Sequence, residues 1–287
     1  MKTSKLTFAA LLLIACVPLA LAQGTYTQID YPGAVDTEAL GINTAGDIVG
    51  GYVDGSYNHH GFLLSGGVYT TIDDPAVPGS TAYGINDFDR VVGTNSYSSY
   101  LYDAGTGAFT SLQFPDSQAL VGAVGINNAG VVVGAIVTSG TTLGFELIKG
   151  TYERLIPRGV GIDSSFVQGI NNIGEAVVDA DTSTQNFVFL YYKGTFQRVT
   201  IPAITPSANG INDAGAIVGS YRPTPQGSPQ GFLYQNGVFQ EIAFPGSSSG
   251  FAWSINNSGV IVGSFVSSGY AIQHGFTWTP PPDAAKK

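Results

Sequence analysis

The chain has 287 residues, and 20 Asp and Glu against 11 Lys and Arg leave it a net charge of −9. So acidic a surface excludes nucleic acid and anionic membranes as partners, because both require clustered Lys and Arg. The only cysteine is Cys16, so no disulfide framework can staple the fold and stability must come from a buried core.

Residues 1–22 read as an export signal. Lys2 and Lys5 make a positive start, Leu6 to Leu21 is an apolar run, and Ala20-Leu21-Ala22 is a small-x-small cleavage site. The run is too short and wrongly flanked for a stable membrane span. The alternative is lipid anchoring, since Leu13-Ile14-Ala15-Cys16 resembles the lipobox of bacterial lipoproteins. Against it, Val17-Pro18-Leu19-Ala20 continues the apolar run past Cys16. Cleavage after Ala22 is therefore preferred. It removes the cysteine and two lysines, takes the net charge to −11, and predicts a secreted or periplasmic protein without an integral span.

The mature chain opens on an alternating strand, Gly24 to Pro32, and then repeats itself. The motif Gly-Ile-Asn-x-x-Gly, with variants, centres on Asn43, Asn86, Asn127, Asn171, Asn212 and Asn256, at spacings of 43, 41, 44, 41 and 44 residues. In each unit a small-residue stretch leads into the asparagine, and a turn follows. Next come a β-branched run such as Val131-Val132-Val133, an aromatic-apolar stretch such as Gly61-Phe62-Leu63-Leu64, and an alternating segment such as Val68-Tyr69-Thr70-Thr71-Ile72. That is four short strands per unit, with 39 glycines for turns and no convincing amphipathic helix. A β-propeller blade has this period, and a β-solenoid is the main rival.

The chain ends decide between them. The last unit has a third strand, Gly275-Phe276-Thr277-Trp278, and then Pro280-Pro281-Pro282, so its fourth strand is missing. Residues 24–32 match the fourth strand of the first unit, residues 67–75, almost place for place. A solenoid has no use for a permuted end, whereas a ring is closed by one, and closure removes two exposed sheet edges. The expected fold is all-β: a single six-bladed propeller over residues 23–279, closed by an N-terminal outer strand. Its units run about 36–75, 79–115, 120–158, 163–202, 205–245 and 249–279 plus 24–32, and 280–287 form a tail.

The units resemble the extracellular bacterial repeats named after a His-Ala-Phe triplet. Here the triplet reads His60-Gly61-Phe62 and His274-Gly275-Phe276, with Gln230-Gly231-Phe232 as a variant, and the second unit (Ser99-Tyr100-Leu101-Tyr102) barely shows it. The Gly-Ile-Asn-x-x-Gly and Val-Gly elements also match, and the resemblance covers residues 24–279. It implies export and a repeat fold, and it implies no established activity.

Asn at the start of a turn with Gly three places on is turn chemistry. Asp89 replaces that glycine in the second unit and tolerates the same left-handed backbone. The tight turns share one face of the ring, and the longer, non-repeating loops lie on the other, where function is expected. Tyr57, His59 and Arg222 are candidates there. Two residue rows precede the turns. One is alanine in five units and expected to pack between blades. The other reads Leu40, Tyr83, Val124, Gln168, Asn209 and Trp253 and is expected to face the channel. Divergent filler is one reading of that row. A sugar-like ligand stacked on Tyr83 and Trp253 and hydrogen-bonded by Gln168 and Asn209 is the other.

His60 and His274 occupy equivalent places, which suggests braces of the third strand. Asp179 and Asp181 offer alternating oxygen ligands to calcium, but the Gly and Glu of an EF-hand loop are missing, so a solvated acidic loop is expected. There is no sialidase box and no nucleophile-base set. Asp54, Asp74, Asp163 and Asp179 could supply paired carboxylates. The functional expectation is a monomeric, non-catalytic binding module for an extracellular glycan or protein. The alternative is an extracellular polysaccharide-acting hydrolase or lyase with its site at the channel mouth.

Overall fold

The computed structural model describes residues 24–113, 120–138, 140–158, 161–269 and 272–282. The expected export signal with Cys16, positions 114–115 at the end of the second unit, and positions 283–287 of the tail lie outside these.

The described strands make six four-stranded antiparallel sheets. After β1 (Thr25–Ile29), blade I comprises β2 (Asp36–Ile42), β3 (Ile48–Val53), β4 (His59–Ser65) and β5 (Val68–Ile72). Blade II holds β6 (Thr81–Ile85), β7 (Arg90–Thr94), β8 (Ser99–Asp103) and β9 (Ala108–Leu112). Blade III holds β10 (Leu120–Ile126), β11 (Val132–Thr138), β12 (Thr141–Ile148) and β13 (Thr151–Arg154). Blade IV holds β14 (Ser164–Ile170), β15 (Ala176–Asp181), β16 (Asn186–Tyr192) and β17 (Thr195–Val199). Blade V holds β18 (Ile204–Ile211), β19 (Ile217–Arg222), β20 (Gln230–Gln235) and β21 (Val238–Ile242). Blade VI holds β22 (Ser247–Ile255), β23 (Ile261–Ser267) and β24 (Gln273–Thr279), and β1 pairs antiparallel with β24 as its outer strand.

The first strands neighbour one another in the closed circuit β2, β6, β10, β14, β18, β22 and back to β2. The molecule is thus a six-bladed β-propeller. β1 is tied beyond its own blade, because the Tyr26 hydroxyl accepts the Ala243 N–H at 3.1 Å from the end of blade V.

The core lies between blades rather than around one centre. One cluster joins Ile29, Ala39, Phe62 and Val262, from blades I and VI. Another joins Val177 and Val188 of blade IV to Ala208, Ile217 and Phe232 of blade V. The alanine row packs here, with Ala39, Ala82, Ala123, Ala208 and Ala252 fully buried. The repeated third-strand aromatic (Phe62, Tyr100, Phe145, Phe232, Phe276) is also fully buried. It needs a glycine across the ladder. A Cβ on Gly50 would sit 1.9 Å from the Glu38 carbonyl oxygen and 2.8 Å from the Phe62 ring. Blade IV departs from the rule, pairing Val178 with Phe189.

Candidate functional site

The six Asn-x-x-Gly turns have the expected geometry. The fourth residue is in the left-handed region, with φ of +93° at Gly46 and +55° at Asp89. Asn127 is representative. Its Oδ1 accepts the N–H groups of Ala129 and Val131 at 3.1 and 3.0 Å, closing the turn. Its Nδ2 does something turn chemistry does not require: it donates to the Asn171 carbonyl of the next blade at 3.1 Å.

The same bond recurs around the ring. Asn43 donates to the Asn86 carbonyl at 3.5 Å, Asn86 to that of Asn127 at 3.0 Å, Asn171 to Asn212 at 3.1 Å, and Asn212 to Asn256 at 3.1 Å. Asn256 then donates to Asn43 at 3.0 Å and closes the circuit across the seam. All six asparagines are buried. The repeated motif is therefore a hoop that fixes blade spacing as well as a turn.

A second run of bonds, from Thr44 to Asn257, accompanies the hoop. The residues after the hoop asparagines are Thr44, Asp87, Asn128, Asn172, Asp213 and Asn257. The N–H of Thr44 donates to Asp87 Oδ1 at 2.8 Å, that of Asp87 to Asn128 Oδ1 at 2.9 Å, and that of Asn128 to Asn172 Oδ1 at 2.9 Å. Asn172 continues to Asp213 at 2.7 Å and Asp213 to Asn257 at 2.9 Å. Asp87 also accepts from Asn128 Nδ2, and Asp213 from Asn257 Nδ2, each at 2.7 Å. Burial opposes ionisation of Asp87, yet its hydrogen bonds hold the carboxyl below the usual range. Sequence reasoning passed over this rim. Its signal was Asp or Asn after the motif asparagine in five of six units, a position where turn chemistry asks for neither.

Within the hoop lies the central channel, a cavity of about 270 Å³. Leu40, Tyr83, Val124, Gln168, Asn209 and Trp253 all line it, one from each blade, together with Glu38. The four channel candidates therefore share one cavity. Trp253 stacks on Phe251 with centroids 5.2 Å apart and planes at 13°, and its Nε1 donates to Ser264 Oγ at 2.9 Å. Asn209 is committed to structure, its Nδ2 donating to the Ala252 carbonyl at 3.0 Å. The Gln168 amide has no hydrogen-bond partner among the described residues and stays available to a ligand.

Glu38 was not among the candidates. Its Oε1 accepts from Gln273 Nε2 at 2.6 Å, and the same nitrogen lies 3.0 Å from Ser264 Oγ. A short chain of polar contacts thus joins Glu38 to Trp253 across the seam between blades I and VI. Burial raises the Glu38 pKa above the usual carboxylate value, with the Gln273 bond opposing. Burial also raises that of Tyr83, a bond to Thr94 lowers it, and the charge of Glu38 raises it.

The loop-face candidates separate. Tyr57 and His59 line a groove with His60, Asp73 and the 75–79 connector. Tyr57 is 76% exposed at φ +65°, on a loop held by Asp54, whose Oδ1 accepts from Ser56 and Asn58 at 2.8 and 2.9 Å. Those bonds hold the exposed Asp54 carboxyl well below its usual range. Arg222 joins neither site, because its Nη1 donates to the Gly227 carbonyl of its own loop at 2.7 Å. His60 bridges Asp73 at 2.7 Å and Asp54 at 3.3 Å, and His274 meets Asp30 at 2.8 Å. Both histidines brace the third strand against the end of the fourth. Burial lowers the His60 pKa, but the two aspartates bring it above its ordinary value.

The acidic loop at 179–183 needs correction. Asp179 is not solvated: it lies within β15, 4% exposed, at the boundary between blades IV and V. Its Oδ1 accepts the Ala208 N–H at 3.1 Å, and Oδ2 accepts from the Ser207 hydroxyl. Burial pushes its pKa up to about 7 against the lowering effect of those bonds. Asp181 is held separately, accepting from Ser164 Oγ at 3.4 Å. Both oxygens of Asp179 are thus turned to blade V, away from any ion shared with Asp181. Among the described residues no group of three His, Cys, Asp or Glu is placed to hold a metal, and no helix is long and apolar enough to cross a membrane.

No protein-family model matches the chain, and no curated protein matches it. Solved structures do. The chain is similar to AofleA from Arthrobotrys oligospora, with TM-score 0.53 and 11% identity over 89% of this chain and 88% of that one. It is similar to the Aleuria aurantia lectin, solved with Fucα1-6GlcNAc, with TM-score 0.54 and 11% identity over 85% and 91%. It is equally similar to an oligogalacturonate lyase solved with manganese, with TM-score 0.52 and 11% identity over 91% and 98%. At such identities the likeness is one of fold, and the fold it shares with lectin and lyase alike is the β-propeller.

Proposed function

We propose that this protein is an exported, non-catalytic carbohydrate-binding module whose ligand enters the central channel. The observation that carries the reading is one cavity combining two aromatic side chains, Tyr83 and Trp253, with the uncommitted amide of Gln168, the Trp253 ring being backed by Phe251. A sugar presents an apolar face of C–H groups and a rim of hydroxyls, which aromatic faces and amides recognise together. Likeness to lectins adds analogy at the level of fold. The N-terminal signal and the resemblance to His-Ala-Phe repeats support a location outside the cytoplasm.

The rival reading, a hydrolase or lyase, is favoured by one observation: Glu38 and Tyr83 are neighbouring ionisable groups, both shifted upward. A retaining or inverting glycosidase needs a second carboxylate across the bond. The other carboxylates lining the channel, Asp87 and Asp213, lie at the turn end and are engaged in the rim. A tyrosine with a raised pKa is also a poor base. Binding is therefore preferred.

The test is a glycan array on the purified protein with a reducing-sugar assay beside it. Trp253→Ala should weaken capture of the bound glycan at least ~10-fold, the scale of one lost stacking contact with its buried area. Release of reducing ends from any polymer would overturn the non-catalytic reading.

A further inference from the structure

The channel lining is chemically one-sided. It contains three carboxylates, Glu38, Asp87 and Asp213, and no Lys, Arg or His. Asp87 and Asp213 are saturated by the rim. Glu38 is different. Its Oε1 is held by the neutral amide of Gln273, while Oε2 accepts no hydrogen bond from the described residues. A partly buried carboxylate with a neutral partner on one side and none on the other lacks the compensation that buried charges ordinarily have. The groups around it are Asp36 on its own strand, His59 on β4 and Tyr83 on β6, and none is a permanent cation.

We infer that the channel's ligand is an amine-bearing sugar, a hexosamine unit whose ring lies against Trp253 and whose ammonium is held by Glu38. The inference rests on the channel being a carbohydrate site. The contacts Glu38–Gln273–Ser264–Trp253 link the carboxylate and the stacking ring across one seam of the cavity that both line. An ammonium donates to Oε2 and supplies the missing counter-charge in a site that water only partly screens. The same one-sided lining repels uronates, which bring a carboxylate of their own. The preference requires ionised Glu38. It therefore shrinks on acidification, and does so sooner than an unperturbed carboxylate would allow, because burial raises this pKa.

The experiment compares a glucosamine disaccharide, its N-acetylated counterpart and a galacturonate disaccharide by calorimetry. Salt is held near physiological strength so that the overall acidity of the protein is screened. The free amine should bind about 10- to 100-fold more tightly than the acetylated sugar, the worth of one charge-assisted hydrogen bond, and the uronate least. Glu38→Gln keeps the Gln273 bond within reach. It should abolish the amine preference while leaving affinity for the acetylated sugar within about twofold, with Tm measured to confirm folding. Trp253→Ala should weaken both. Equal affinity for amine and acetylated sugars, or a preference that survives Glu38→Gln, would overturn the inference and leave the channel site standing. Binding of none of the three would overturn both.

Discussion

The two ends of the channel are built on the same six strands and obey opposite rules. At the turn end every blade contributes the same asparagine making the same cross-blade bond. A few residues earlier, at the bulge recurring in the first-strand ladders, the unpaired residues read Leu40, Tyr83, Val124, Gln168, Asn209, Trp253. The difference teaches how a repeat protein acquires a site. A hoop at one end fixes blade spacing, so the lining positions a few residues away are not held to one residue type and can diverge. On the proposed function, conformity serves closure and divergence serves recognition.

The comparison is broken most severely by opening the ring. Deleting residues 24–32 removes β1, which covers the edge of β24 and buries Ile29 between blades VI and I. The expected result is loss of folding or a Tm lower by roughly 20 °C, since about 2–4 °C follows each kcal/mol in a domain of this size. Differential scanning calorimetry reads it, and an unchanged Tm would show that β1 is dispensable for closure. Asn127→Ala should come next. It deletes one cross-blade donor and leaves two turn N–H groups without their acceptor. That should cost about 2–4 kcal/mol and roughly 5–15 °C, with sugar affinity much less affected. Trp253→Ala should do the reverse, weakening binding at least ~10-fold with a smaller change in Tm. If both substitutions affected stability and binding alike, the division of labour between the two ends would be wrong.

Much of this was legible in the residues. The six asparagines at near-constant spacing announced the blades, and the match of residues 24–32 to 67–75 announced the closing strand. The channel row was legible because strand alternation separates it from the buried alanines. The cross-blade role of Asn127 was hidden, since its turn bonds already account for its presence and nothing local distinguishes a side chain that also reaches another blade. Glu38 was hidden for a related reason. Its significance lies in Gln273 and Trp253, more than 200 residues away and adjacent only through ring closure. Asp179 was misread because Asp-Ala-Asp-Thr-Ser has the composition of a polar loop. Its burial is imposed by Ser207 and Ala208 of the next blade.

Asp179 also provides the finest test of how blades are matched. Where blade II meets blade III, the inner-strand N–H of Ala123 is accepted at 2.9 Å by a neutral hydroxyl, Ser99 Oγ. Where blade IV meets blade V, the corresponding N–H of Ala208 is accepted by a carboxyl whose pKa burial has pushed up to about 7. In the unfolded chain that carboxyl titrates near 3.9. Between these values the folded protein holds a proton that the unfolded chain has released, so stability falls as pH rises through the window and is lowest above about 7. Asp179→Asn removes the titration and keeps both bonds, with the amide oxygen accepting from Ala208 and the amide nitrogen donating to Ser207. At pH 5, where wild-type Asp179 is protonated, the Tm should change little. At pH 8.5, where folding buries a charge, the variant should melt several degrees higher. A variant equally stable or less stable than wild type at pH 8.5 would mean that Ser207 and Ala208 stabilise the ionised carboxylate fully, and that the blade IV–V boundary tolerates a charge there as readily as the blade II–III boundary tolerates a hydroxyl.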